Sequence, residues 1–269
     1  MLFLPKPATT AKLFLTGATV GPLVDSIHNQ CLLRYDILPI TIPPLPTQNA
    51  LQLPSFLANA ADPILCTSWL IPPLLGVAYV VLGGILPRII EGIIVGPARR
   101  TLNLQEKDKA KPTPQQLQTR AIVAVATTTL IIKLSELLQT QSFPLLSGGS
   151  EQSLGLMLIA ALSQWLLLDG TPVALLAASI TSIGGPLSEL PFVALGAWHY
   201  IPSASDYLPL SSFAEDGGSL LDTLAKSFLG DGYEDLALSS ITGPCYFAVT
   251  TDSIALGRWF DAQNEEDEI

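Results

Sequence analysis

Asp25 and His28 stand three residues apart in an apolar stretch, which places them on one helix face, where they can pair or line a polar cavity. Glu136 and Asp169 are further candidate acids or bases set among apolar residues. The partners an enzyme would need are missing: there is no His-Glu-x-x-His, no nucleophile elbow and no Gly-rich phosphate loop. His28 and His199 are the only 2 histidines, so histidine-based metal chemistry has almost nothing to work with, and no metal ligand is assigned. Cys31, Cys66 and Cys245 are odd in number and widely spaced, and they form neither a disulfide framework nor a zinc pattern. No catalytic residue is assigned, and the chain reads as a non-enzyme.

The carboxylate of Asp169 is the only ionisable side chain between Gln152 and Ser188. That run is too long for one crossing of a hydrocarbon core, which takes about 20 helical residues, but it suits two. The break falls at Asp169, Gly170, Thr171 and Pro172, where glycine frees the backbone, Thr171 serves as an N-cap and Pro172 fits a first helical turn. Asp169 is thereby placed at a membrane face as an accessible carboxylate, rather than at mid-bilayer, where a charge costs about 2.5–3.5 kcal/mol.

Composition agrees with a polytopic membrane protein: hydrophobic residues make up 49% and charged residues only 13%. The fold expected is an all-α polytopic membrane protein, a bundle of about six transmembrane helices forming a single membrane domain over residues 1–260. The spans are placed at about 13–33, 63–87, 121–138, 152–168, 172–192 and 236–257. Residues 34–62, rich in proline, read as an extended loop. Ile89 to Val95 either prolong the second helix or lie on the membrane surface. Lys133 and Glu136 are spaced to pair on the third helix, Glu189 and His199 to mark the far interface, and Asp252 to pair with Arg258 or face the bundle. A short amphipathic helix is expected over 220–228, and the acidic tail 261–269 is expected to be disordered.

Six spans put both termini on one side. Lys6, Lys12, the seven basic residues from Arg88 to Arg120 and Arg258 then share that side, whereas Arg34 and Lys226 lie opposite. The positive-inside rule makes the first side cytosolic and puts Asp169 there. The net charge of −10 is concentrated in 215–235 and the tail, so nucleic acid is not expected as a partner.

In the second span, Ser68, Trp69, Pro72, Pro73, Gly76, Gly83 and Pro87 resemble the second helix of the Insig family, the insulin-induced-gene proteins of the endoplasmic reticulum. There Trp, two residues, Pro-Pro, two residues and Gly are followed by Gly and Pro in the same register. Trp165 to Asp169 resembles the family's aromatic-rich helix end, which is followed by Asp and a short turn. Pro244, Cys245, Phe247, Gly257 and Arg258 resemble its final helix. The departures are Gly170, Thr171 and Pro172 where the family has Arg and Ser after the Asp, longer first and fifth loops, and the acidic tail.

The resemblance implies a non-enzymatic regulator, a six-helix bundle with a lipid pocket between helices. Animal relatives hold an oxysterol there, retain sterol-sensing-domain proteins in the endoplasmic reticulum and promote degradation of a sterol-synthesis reductase; bacterial relatives imply a diacylglycerol-type lipid. It assigns lipid contact to Trp69, Pro72, Pro73, Gly76, Ala177 and Thr181, and partner contact to Asp169 and Gly170. No cofactor is implied beyond a bound sterol or diacylglycerol. The expected partners are membrane lipid and an integral membrane protein carrying a sterol-sensing domain. Pro72 and Pro73 are read as breaks inside the span that shape the pocket. The endoplasmic reticulum follows from the resemblance, with a plastid envelope or other internal membrane as the alternative. The competing function is a structural or assembly subunit of an organelle membrane complex, docking through the acidic loop and tail.

Overall fold

The computed structural model describes residues 4–43, 63–101, 112–140, 149–215 and 219–266. The first helix, α1, is Pro7–Leu32, with proline in its first turn, where no backbone N–H is needed. At 26 residues it is about 39 Å long, enough to cross a bilayer. The chain then turns extended, and β1 (Leu33–Tyr35) pairs antiparallel with β4 (Trp198–Tyr200), while β2 (Pro39–Ile42) pairs with β3 (Leu65–Ser68). Part of the expected loop is therefore two short ribbons, and residues 44–62 lie outside the described residues.

The second span begins later than 63. Ser68 Oγ donates to the Ile37 carbonyl at 2.8 Å and accepts the Leu70 N–H at 3.2 Å, which fixes the end of β3 against the start of α2, residues 71–101. That helix opens with Ile71–Tyr79 and runs on through a π stretch Val80–Ile85, the turns Leu86–Ile90, a second π stretch Glu91–Val95, and Gly96–Thr101. Pro72 and Pro73 therefore do not interrupt a span; they occupy a first turn, whose N–H groups have no intrahelical acceptor. Pro87 stands two residues after the first π stretch, a widened turn that relieves the missing hydrogen bond. Ile89 to Val95 prolong the helix.

Next come α3 (Pro114–Gln139), α4 (Ser150–Leu168) and α5 (Pro172–Ala194). Thr113 and Gln116 close a reciprocal capping box on α3, and Thr171 caps α5 by accepting the Ala174 N–H at 3.3 Å. Lys133 pairs with Glu136 at 2.5 Å on α3. After β4, the short helices α6 (Ser211–Glu215) and α7 (Leu220–Leu229) precede α8 (Thr242–Glu266).

The tail expected to be disordered is helical through Glu266, because its polar side chains have distant partners. Asp261 accepts from Thr9 at 2.7 Å and pairs with Arg88 at 2.5 Å. Lys12 donates to Gln263 and Asn264 at 3.2 and 3.1 Å. Residues 267–269 lie outside the described residues.

Among the described residues, four helices are long and apolar enough to cross a membrane: Ile71–Ala98, Pro114–Gln139, Ser150–Leu168 and Pro172–Ala194. The other two long helices, α1 and α8, are more polar for a physical reason. α8 packs against α1, α2, α3, α4 and α5, so its polar residues meet protein rather than lipid. Thr250, Thr251, Asp252 and Ser253 are all buried there. Thr250 and Thr181 share a hydrogen bond at 2.6 Å, Thr128 of α3 donates to the Ala248 carbonyl at 3.2 Å, and Gln164 of α4 donates to Thr128 at 2.8 Å. Such bonds hold helices together where apolar burial cannot, since lipid is as apolar as leucine.

Candidate functional site

A cavity of about 210 Å³ opens between the C-terminal end of α1, the start of α2, the end of α5, the start of α8 and the β1–β4 ribbon. Helix alternation puts it at the end of the bundle opposite the basic loop. Its apolar wall comes from Ile71, Leu74, Leu75 and Ala78, spaced i, i+3, i+4, i+7 on one face of α2, completed by Phe192 and Val249.

The other wall is polar and built from two groups. In the first, Asn29 donates to the Asp25 carboxylate and, at 2.7 Å, to the Tyr35 hydroxyl. His28 Nε2 lies 3.7 Å from Asp25, so the two are neighbours on one helix face, as the spacing predicts, and both face the cavity. The second imidazole nitrogen, Nδ1, is 3.0 Å from Ser135 Oγ. In the second group, Glu189 accepts from Tyr200 at 2.6 Å and from Tyr246 at 2.9 Å. Burial pushes the phenols of Tyr35 and Tyr200 well above the usual tyrosine range, so both remain hydrogen-bond donors. Two buried groups on the same wall, Trp198 Nε1 and Thr242 Oγ1, make no hydrogen bond of good geometry among the described residues, although Trp198 lies close to Glu189 and Thr242 close to Tyr200. A buried donor left unpaired costs about 1–3 kcal/mol, so both are suited to a ligand's oxygen.

Among the described residues no lysine or arginine lines the cavity, whereas two carboxyl side chains do. The arrangement offers hydrogen bonds to a neutral polar head and, among the described residues, supplies no cation to an anionic one. Among the described residues no group of three or more His, Cys, Asp or Glu could hold a metal.

None of the six residues assigned to lipid by resemblance lies on this wall. Trp69 is 67% exposed and its N–H donates to the Leu38 carbonyl beside the ribbons. Pro72, Pro73 and Gly76 sit on the other faces of the α2 turns that carry the apolar wall. Gly76 lets the Phe14 ring of α1 approach to where a Cβ would stand 2.7 Å away. Ala177 is buried with Ile90 and Ile254, and Thr181 serves the α5–α8 contact through Thr250. Glu189, read from sequence as an interfacial marker, belongs to the cavity; His199 is exposed and pairs with Asp36 at 2.7 Å.

At the opposite end, Trp165, Asp169, Thr171 and Arg258 converge. Asp169 accepts the Thr171 N–H at 2.9 Å and the Thr171 hydroxyl, closing an Asx turn, while its other oxygen meets Arg258. Arg258 also donates to Thr171 Oγ1 at 3.1 Å, and the Trp165 indole donates to the Thr171 carbonyl at 3.0 Å. The Asp169 side chain is only 4% exposed. The accessible carboxylate expected from the sequence is thus an internal latch, because Arg258 arrives from a helix 89 residues away. Asp252, whose alternative was to pair with Arg258, instead faces the bundle interior beside Ser253. The exposed element of the turn is Gly170, held at φ +65, which a side chain would strain.

Asp169→Ala is expected to destabilise the protein by about 2 kcal/mol, the value of a charge-assisted hydrogen bond lost together with the turn's cap. Asp169→Asn, which keeps the Asx turn, should lose less. Thermal unfolding in detergent measures the difference; equal melting temperatures for wild type and the alanine variant would refute the latch.

No family model matches the sequence, and no curated protein matches it. Among solved structures, the mycobacterial Insig homologue MvINS from Mycobacterium vanbaalenii matches with a TM-score of 0.53 and 16% identity, over 96% of this chain and 97% of that one. A cross-linked trimer of MvINS matches with a TM-score of 0.55 at the same identity and coverage. This chain therefore has the fold of an Insig homologue, an all-α polytopic membrane protein.

Proposed function

We propose that this chain, starting from its Insig-type fold, is a distant Insig-like regulator that performs no catalysis and holds a neutral, hydroxyl-bearing lipid in the cavity between α1, α2, α5 and α8. The observation that carries this reading is the division of the cavity: apolar residues on one side, and on the other two carboxyl groups, three tyrosines, and Trp198 and Thr242, whose polar atoms make no well-formed hydrogen bond within the protein. A sterol hydroxyl or a diacylglycerol head can donate to Asp25 or Glu189 and accept from Trp198 or Thr242. The volume of about 210 Å³ is smaller than the roughly 300–1,000 Å³ of pockets that enclose a drug-sized ligand. The head and first carbons of the lipid would occupy it, with the remainder running between helices towards the bilayer. Occupancy would alter how α1, α2 and α8 pack, and through them the retention of a partner membrane protein of lipid metabolism with a sterol-sensing domain. The membrane of action would be the endoplasmic reticulum.

The turn at Asp169 and Gly170 is the proposed partner surface. With the carboxylate occupied by Arg258, Asp169 would act by holding the turn, and the partner would meet the exposed backbone at Gly170.

Lipid extraction from the purified protein, followed by mass spectrometry, tests the lipid class. A sterol or diacylglycerol at near-stoichiometric amount is expected. In Thr242→Val the amount should fall several-fold with little loss of stability, because the hydroxyl removed makes no well-formed hydrogen bond within the protein, only an approach to Tyr200. Recovery of anionic phospholipid alone, or of a large lipid-free complex, would favour the structural-subunit reading.

A further inference from the structure

The loop from β4 to α8 carries a helix whose hydrophobic side points away from the protein. In α7, Leu220, Leu221, Leu224 and Phe228 fall within about 100° of helical arc. All four are exposed, Leu220 by 75% and Phe228 by 81%. One polar side chain turns inward instead: Asp222 is buried, accepts from the Tyr233 hydroxyl at 3.0 Å and pairs with the exposed Lys226 at 3.0 Å. Leu229 packs into the main core cluster. A loop helix turned towards water would have the reverse orientation, and an outward apolar face of this size calls for a cover.

We infer that α7 lies in the membrane–water interface with Leu220, Leu224 and Phe228 inserted among the acyl chains, on the side away from the basic loop. Continuity with the lipid-facing surface identifies the bilayer as that cover: α7 packs against α5, whose Ile183, Leu187 and Leu195 are exposed on the outside of the bundle. Insertion rests on apolar contact, since the only base of the helix, Lys226, is paired with Asp222. It therefore needs no anionic lipid. The loop that carries α7 leaves the cavity wall at Tyr200 and returns to it at Thr242.

Spin labels test the orientation. Cysteines are introduced singly as Leu224→Cys, Phe228→Cys and Thr223→Cys in the full-length protein, which is reconstituted in phosphatidylcholine nanodiscs. The unsubstituted protein, labelled in parallel, gives the background of Cys31, Cys66 and Cys245. Labels at 224 and 228 should collide more with oxygen than with a water-soluble nickel chelate, and the label at 223 should show the opposite order. Equal nickel access at all three sites would overturn the inference. So would screening of 224 and 228 from both reagents, the sign that protein or a second copy of the chain covers the face.

Discussion

Gly83→Ala is expected to cost about 3 kcal/mol or more, the upper range for overpacking, and to abolish recovery of a monodisperse protein. At the crossing of α2 and α8 the two backbones touch. A Cβ on Gly83 would stand 2.2 Å from the Ser253 carbonyl oxygen, and one on Gly257 would stand 2.3 Å from the Gly83 carbonyl oxygen. Neither neighbour is a flexible side-chain tip, so the helices themselves must separate. Because α8 packs against all five other long helices, the separation would loosen the whole bundle. Gly184→Ala is the matched control, since nothing lies within 4 Å of its Cβ, and there alanine should add about 0.5–1 kcal/mol of helix stability. Size-exclusion profiles and melting temperatures of the two variants in detergent distinguish these outcomes; similar behaviour of both would contradict the close crossing.

Ala78→Trp should empty the cavity of lipid while leaving the bundle folded. Ala78 sits on the apolar wall in line with Ile71, Leu74 and Leu75, so an indole there projects into the space rather than into packed side chains. Bound neutral lipid should fall more than tenfold, equivalent to about 1.4 kcal/mol or more of binding free energy. The melting temperature of the lipid-free variant should equal or exceed that of lipid-free wild type, since filling a void restores lost contacts. Retained lipid in a folded Ala78→Trp protein would place the ligand elsewhere.

What could be read from the sequence divides along a physical line. The turn at Asp169–Pro172 and the cap at Thr171 were legible because their signals are local: a helix end, a glycine and a first-turn proline within four positions. The pairs Asp25–His28 and Lys133–Glu136 were legible for the same reason, being neighbours on one helix. The Insig-type bundle was legible from apolar runs and the Trp-Pro-Pro-Gly spacing around Trp69.

Helix ends were not legible where distant partners decide them. The acidic residues from Asp261 on looked solvated, yet Thr9, Lys12 and Arg88 hold that segment in the helix. Leu65–Ser68 looked like the start of a span because apolar content alone cannot separate a short strand from a helix turn. Pro72 and Pro73 were assigned to the wrong part of α2 as a consequence. The cavity was hidden for the same reason at larger scale. Its polar wall joins Asp25 and Asn29 to Glu189, Trp198, Tyr200, Thr242 and Tyr246, which share no short-range pattern. The carboxylate of Asp169 looked accessible because its partner, Arg258, belongs to the last helix.

Under the proposed function, a neutral lipid places its head in the cavity at the far end of the bundle. A photoactivatable diacylglycerol carrying its reactive group near the glycerol, crosslinked to the full-length protein in nanodiscs and mapped by peptide mass spectrometry, tests it most directly. The predicted adducts lie on cavity residues of α1, α5 and α8, around Asn29, Phe192 and Val249, and disappear in Ala78→Trp. Adducts confined to outward-facing positions such as Ile159 and Leu166 of α4, unchanged in that variant, would contradict the account.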